Sequence, residues 1–276
     1  MKSFFLNPVL NKEFKLRFRS IKSIWALLFY LAAIGFLIIA FIYMTTNGGN
    51  LYAFRSNQSR EMFMALSFVQ LGLIVFVTPG LTAGVISSER EKQTLNMLLT
   101  TTQSSTSIVL SKLLSSICFL FLLVIATLPL YSFVFLYGGV SPQIILKVFG
   151  QYALCMATIG SLGILFSTII RKTIIAMVVT YSVALFLVAG TGVLFLLFQE
   201  LIYRPQASQT IFPFFFAMLN PVINMLETFE PQAISYRMNS QGVDFPLTLS
   251  YVGSYLVLIV TSLALSIYKL RPKMNK

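Results

Sequence analysis

Six long apolar stretches dominate the chain: 24–44, 62–86, 108–137, 147–170, 173–198 and 247–268. The hydrocarbon core of a bilayer is ~30 Å thick and takes about 20 mostly apolar residues to cross as a helix. Each stretch is long enough, so the pattern predicts an all-α membrane protein with six spanning helices and one transmembrane domain over 1–276. The polar segments between them are short, with one exception. Residues 199–246 contain IFPFFFAMLNPVINML (211–226), which is apolar yet short and is broken by Pro213 and Pro221. Asn220-Pro221 is good helix-start chemistry, because Asn caps and Pro suits the first helical position. The segment is therefore read as two short re-entrant helices dipping into the outer leaflet. A seventh, broken span would put the C-terminal Lys269, Arg271, Lys273 and Lys276 on the other side, against the charge rule developed below.

Ahead of the first span, residues 7–23 read NPVLNKEFKLRFRSIKS. Asn7-Pro8 repeats the helix-start pair. Leu10, Phe14, Phe18, Ile21 and Trp25 recur at helical spacing, and Lys12, Lys15, Arg19 and Lys22 recur on another face. Glu13 and Arg17 form a compatible i,i+4 pair. An apolar stripe opposite a basic one predicts a helix lying in the membrane interface. The plainer alternative is a basic anchor for the first span.

Composition supports the membrane reading. The chain is 57% hydrophobic and 10% charged, where a soluble domain has about a quarter of its residues charged. The net charge of +12 raises nucleic acid as a partner, but its distribution removes it. With the N-terminus inside, all of the 20 basic residues except Arg55, Arg60, Lys147, Arg204 and Arg237 fall on the inner side. This bias places both termini in the cytoplasm of a multi-pass cell-membrane protein. No stretch reads as a cleavable signal peptide. Cys118 and Cys155 each lie inside a span and read as packing residues. With no histidine in the chain, the commonest metal ligand and general base are missing. No catalytic or metal site is expected.

Small residues punctuate the spans. Gly80 and Gly84 form a G-x-x-x-G pair, and Gly160 lies beside Ala153, Ala157 and Ser161 at small-xxx-small spacing; both patterns let helices approach closely. These residues can serve the bundle itself or a partner subunit. Pro79, and Thr127 with Pro129, predict kinks in the second and third spans. A charged segment, 87–105, hangs between those two spans and reads SSEREKQTLNMLLTTTQSS. Ser88 and Glu91 match a capping box. Leu95, Leu98 and Leu99 then follow at helical spacing until the Thr/Ser run breaks the helix. The leucine face can pack on the bilayer, on its own bundle, or in a groove of a soluble partner.

The stretch 86–116 resembles the signature of ATP-binding-cassette type-2 (ABC-2) permeases, E-R-E-x-G-T-L-E-x-L-L-x-T-P-L-S followed by I-x-x-G-K. Glu89, Arg90, Glu91, Thr94, Leu95, Leu98, Leu99, Thr101, Ser104, Ile108 and Lys112 match it. Its departures include Gln93 and Ser111 in place of Gly, Thr102 in place of Pro and Gln103 in place of Leu. The layout of spans and short helices is similar too. The resemblance implies a permease subunit that pairs with a second, identical or related, permease subunit and docks on a cytoplasmic ATPase. It implies a coupling helix from Glu89 to Leu99 seated on that ATPase, with the N-terminal helix around Phe14, Arg17, Phe18, Arg19 and Ile21 touching the same partner. ATP and Mg would sit on the partner, since no P-loop G-x-x-x-x-G-K-[ST] occurs in this chain. The spans hold few ionisable groups, which argues against a proton-coupled carrier and an intramembrane enzyme. An ATP-independent channel or carrier, or a non-transporting sensor or scaffold subunit, are the other readings.

Overall fold

The computed structural model describes residues 21–45, 56–94, 104–136, 140–202, 212–230 and 246–270. The leading residues Leu10, Phe14, Arg17, Phe18 and Arg19 of the expected interfacial helix lie outside them. Every described element is helical: α1 Ile21–Thr45, α2 Ser56–Thr82, α3 Ser87–Glu91, α4 Ser105–Ala126, α5 Leu128–Leu136, α6 Pro142–Ile169, α7 Thr173–Leu185, a π-segment Phe186–Gly190, α8 Thr191–Ile202, α9 Phe212–Leu219, α10 Pro221–Phe229 and α11 Leu247–Leu270. Six helical stretches are long and apolar enough to cross a membrane, at the six places the hydrophobic pattern marks. Helix α1 runs without a break from Ile21 into the first span, so no boundary falls at Ser23.

The spans differ in how much of each is enclosed. The first span buries 17% of its most apolar window and the fourth 67%. Helix α6 is thus the central post, packed by α2, α4, α7 and α11, while α1, α7 and α11 present apolar faces outward, for example Phe36, Val178 and Val257. The reason lies in small residues. A Cβ on Gly160 would come within 3.1 Å of the Leu113 side chain, and one on Gly163 would collide with the Thr82 hydroxyl and reach 3.3 Å from the Ala83 backbone nitrogen. Gly160 is therefore a contact with α4, and its neighbour Gly163 makes the closer approach, to α2. Gly80 and Gly84 face α7: added Cβ atoms would meet Tyr181 at 3.0 Å and Met177 at 2.9 Å. Both glycines serve packing inside this chain.

Buried hydroxyls have no water to bond in such an interior. Thr78, Thr82, Thr158, Thr168, Thr180 and Thr191 each donate to the carbonyl one turn back in their own helix. Thr168 also meets Ser266 of α11 at 3.0 Å. Helix α2 continues through Pro79. The third span does break where Thr127 and Pro129 predict it: α4 stops at Ala126 and α5 restarts at Leu128, with the Thr127 hydroxyl donating to the Val124 carbonyl at 2.7 Å.

The segment before the last span forms the two short helices its prolines predict, α9 and α10, and their break is held on three sides. Asn220 caps α10 by accepting from the N–H groups of Val222 and Ile223 at 2.8 and 3.0 Å. Its amide nitrogen donates to the Val188 carbonyl at 2.7 Å, inside the π-segment where the regular ladder is disturbed. Gln151 of α6 donates to the Pro221 carbonyl at 2.6 Å. Tyr255 and Ser254 of α11 donate to the Leu219 and Met218 carbonyls, both at 3.1 Å, which are orphan acceptors at the end of α9.

Gly163→Ala is expected to destabilise the bundle by about 1–3 kcal/mol, because Thr82 is held by its own helix bond and cannot yield freely. Gly150→Ala of the same helix, whose added Cβ meets open space, is expected to be neutral or stabilising. Unfolding midpoints of the two variants in one detergent check this; equal losses would contradict it.

Candidate functional site

The charged segment after the second span is built differently from its sequence reading. The expected cap residue Ser88 sits inside α3, which starts at Ser87; the N-cap is Ile86 and supplies no side-chain bond. The acceptor comes from elsewhere. The Ser167 hydroxyl of α6 accepts from the backbone N–H groups of Ile86 and Ser87, both at 2.9 Å. Ser88 and Glu91 therefore make no capping box, because Glu91 is engaged with another helix.

Helix α3 also ends sooner than the resemblance implies. Thr94 N–H donates to the Glu89 carbonyl at 2.9 Å and Gln93 N–H to the Arg90 carbonyl at 3.1 Å. This crossed pair around a left-handed residue is the Schellman C-cap. Gln93 has φ 59° and is the non-glycine residue with positive φ among those described. The ABC-2 signature carries Gly at this position, and the geometry supplies the reason: glycine enters the left-handed region without a Cβ penalty. One continuous helix from Glu89 to Leu99 is ruled out by this turn. Leu95, Leu98 and Leu99 lie outside the described residues. Thr94 is exposed and its hydroxyl donates to the Glu89 carbonyl at 3.2 Å.

The three charges of Glu89-Arg90-Glu91 point to three different spans. Glu89 accepts from the Lys112 ammonium of α4 at 2.7 Å; Lys112 is 2% exposed and Glu89 26%. Arg90 donates to the Thr168 carbonyl near the end of α6 at 3.1 Å. Glu91 accepts from the Thr173 N–H at 2.9 Å and from its hydroxyl at 2.7 Å, at the start of α7. Helix ends expose unsatisfied carbonyls at the C-terminus and N–H groups at the N-terminus, with partial charges to match. The α6–α7 hairpin, Ile169 to Thr173, presents one of each side by side. Arg90 and Glu91, adjacent and of opposite charge, serve both. The Thr173 backbone and hydroxyl bonds, with Lys172 nearby, hold the Glu91 carboxyl below its ordinary range.

The sequence singled out Glu89, Arg90, Glu91 and Lys112 but not Thr168 and Thr173, the partners of Arg90 and Glu91, nor Ser167, which caps α3. One signal was available. Lys172, at the N-cap of α7, has no side chain able to accept, so that cap had to come from another element. Ser104, in the Thr/Ser run, has a role of its own: it caps α4, accepting from Ser107 N–H at 3.2 Å.

The described residues form a membrane helix bundle with a charged turn at one end. The sequence pattern of ABC-2 family transporter proteins matches residues 8–271, nearly the whole chain, and the protein belongs to that family. Among curated proteins none matches this sequence.

Two outcomes follow from the turn. Glu89→Ala alone leaves a buried ammonium without its carboxylate and is expected to cost about 2–3 kcal/mol, discounted for the partial exposure of Glu89. The double variant Glu89→Leu with Lys112→Met is expected to recover most of it. A double-mutant cycle by denaturant unfolding measures the coupling, and additive losses would refute the pairing. Glu91, with its lowered folded value, contributes stability that is complete above its ordinary value of 4.5 and fades as pH falls through the folded value. Glu91→Gln should therefore unfold earlier than the native chain at neutral pH, and the two melting curves should converge on acidification. Curves that stay apart at low pH would argue against it.

Proposed function

We propose that the chain is the permease subunit of an ATP-driven exporter of the cell membrane, with both termini cytoplasmic. Two such subunits form the pathway, and each docks on a separate cytoplasmic ATPase that binds ATP and Mg. This chain supplies no hydrolytic residues. The observation that carries the reading is the charged turn, bonded at once to the third, fourth and fifth spans.

Hydrolysis on one protein can drive motion in another only through a contact both hold firmly. Leu95, Leu98 and Leu99 are the residues offered to the ATPase. They follow directly on Thr94, where the Schellman turn closes. A push on the leucines is delivered to α3, and α3 cannot move without loading Lys112, Thr168 and Thr173. Arg90 and Glu91 grip the two ends of one helical hairpin, so the fourth and fifth spans are tilted together. The basic N-terminal segment, with Arg17 and Arg19, rests on the inner membrane surface and steadies the first span.

The far end of the same post supports this route. Helix α6 carries Ser167 and Thr168 at the turn and Gln151 about 24 Å away at 1.5 Å per residue, where Gln151 holds the start of α10. Tilting α6 at one end displaces the short helices at the other, which lie on the outer side in this topology. An apolar, charge-poor pathway suits hydrophobic or amphipathic cargo.

Leu95→Glu with Leu98→Glu is expected to abolish capture of the ATPase in a pull-down while membrane insertion stays intact. Full retention of the ATPase by this variant would sink the proposed docking surface.

A further inference from the structure

A second group of polar residues lies at the other end of the bundle from the charged turn. Helices α6, α10 and α11 border a cavity of about 440 Å³. Gln151 of α6, Asn224 of α10 and Tyr251 of α11 line it and are 5%, 2% and 1% exposed. Among the described residues, Gln151 Oε1 and Asn224 Oδ1 have no hydrogen-bond partner, and the Tyr251 hydroxyl stands within hydrogen-bonding reach of Gln151 and Tyr255. Buried polar atoms in folded proteins are nearly always paired, so two unmatched acceptors on facing walls of a single cavity point to something that enters it. Gln151 already spends its amide nitrogen on the Pro221 carbonyl, which fixes the side chain and leaves its oxygen over.

The unmatched amide atoms of the lining are both acceptors. Two amide oxygens accept, and a phenol accepts or donates. The complement is a group rich in N–H or O–H. Lys147, the cation among the lining residues, is exposed. Leu154 and Val252 add apolar wall, as suits a molecule whose other part is a hydrocarbon chain. We propose that this cavity binds the polar head of an amphiphile whose head carries hydrogen-bond donors, either a primary ammonium or hydroxyl groups. The site goes beyond the export reading and does not depend on it, because binding is measured on this chain without ATP.

Gly150 provides a clean variant. It lines the cavity, and an added Cβ meets no atom within 4 Å. Gly150→Leu is therefore expected to fill the space without disturbing the fold. The full chain is reconstituted in phosphatidylcholine nanodiscs, whose headgroups carry no N–H or O–H. Dodecylamine, dodecyl glucoside and dodecyltrimethylammonium are titrated in and bound copies are counted by native mass spectrometry. Dodecylamine or dodecyl glucoside is expected to bind at least about tenfold more tightly than the trimethylated cation, which has no donor to offer. Whichever of the two binds better identifies the ammonium or the hydroxyl source. Gly150→Leu and Asn224→Leu are each expected to weaken that binding about tenfold, with the unfolding midpoint of Gly150→Leu unchanged. Equal binding of all three probes, no binding of any, or undiminished binding by a folded Gly150→Leu would overturn the site. None of these results bears on capture of the ATPase, so the two readings fail separately.

Discussion

Two helix ends that meet at one side of a membrane have to be satisfied by something, and here it is a pair of neighbouring charges. The fourth span ends and the fifth begins within Ile169 to Thr173, which leaves carbonyls and N–H groups facing a narrow gap. Arg90 takes the Thr168 carbonyl and Glu91 takes the Thr173 N–H. Each charge matches the partial charge of the terminus it meets. The rest of this end of the bundle is arranged around this contact. Ser167 caps α3 in return, and the Schellman turn at Gln93 stops the helix once its third charge has found its partner. Glu89 then neutralises Lys112, which otherwise would be a buried cation.

Helix α6 turns that local contact into a property of the whole bundle. It is the most enclosed span, and its glycines let α2 and α4 lie close against it. At one end it is bonded to the charged turn and at the other to the break between α9 and α10. Asn220 adds the fifth span to the same break, using a carbonyl of the π-segment. The two polar clusters therefore share the fourth and fifth spans, and the intervening core is aliphatic and aromatic packing. Close-packed interiors transmit displacement instead of absorbing it. On the function proposed above, the charged turn is the input and the short helices are the element that responds.

The small residues illustrate how one pattern admits two uses. Gly80 and Gly84 at G-x-x-x-G spacing could serve a partner or the bundle, and nothing within the second span decides between them. Tyr181, Met177 and Thr173 occupy the space beside them, so they serve the bundle. Scattered Thr residues show the same ambiguity. Most bond their own helix one turn back, while Thr168 also meets Ser266 of the last span and Thr127 also accepts from Gln70 of the second.

The six spans, the break at Thr127 and the Asn220 cap were legible in the sequence because each depends on neighbouring residues alone. Length against bilayer thickness, a missing proline N–H and an Asn before a Pro act over a turn or two of chain. The partners of Arg90 and Glu91 lie 78 and 82 residues away, and no local rule reaches that far. The sequence marked the charges as special but paired Glu91 with Ser88, since the capping box is the nearest use for it. Packing decided otherwise: once α6 and α7 stand beside α3, their bare ends are the stronger claimants.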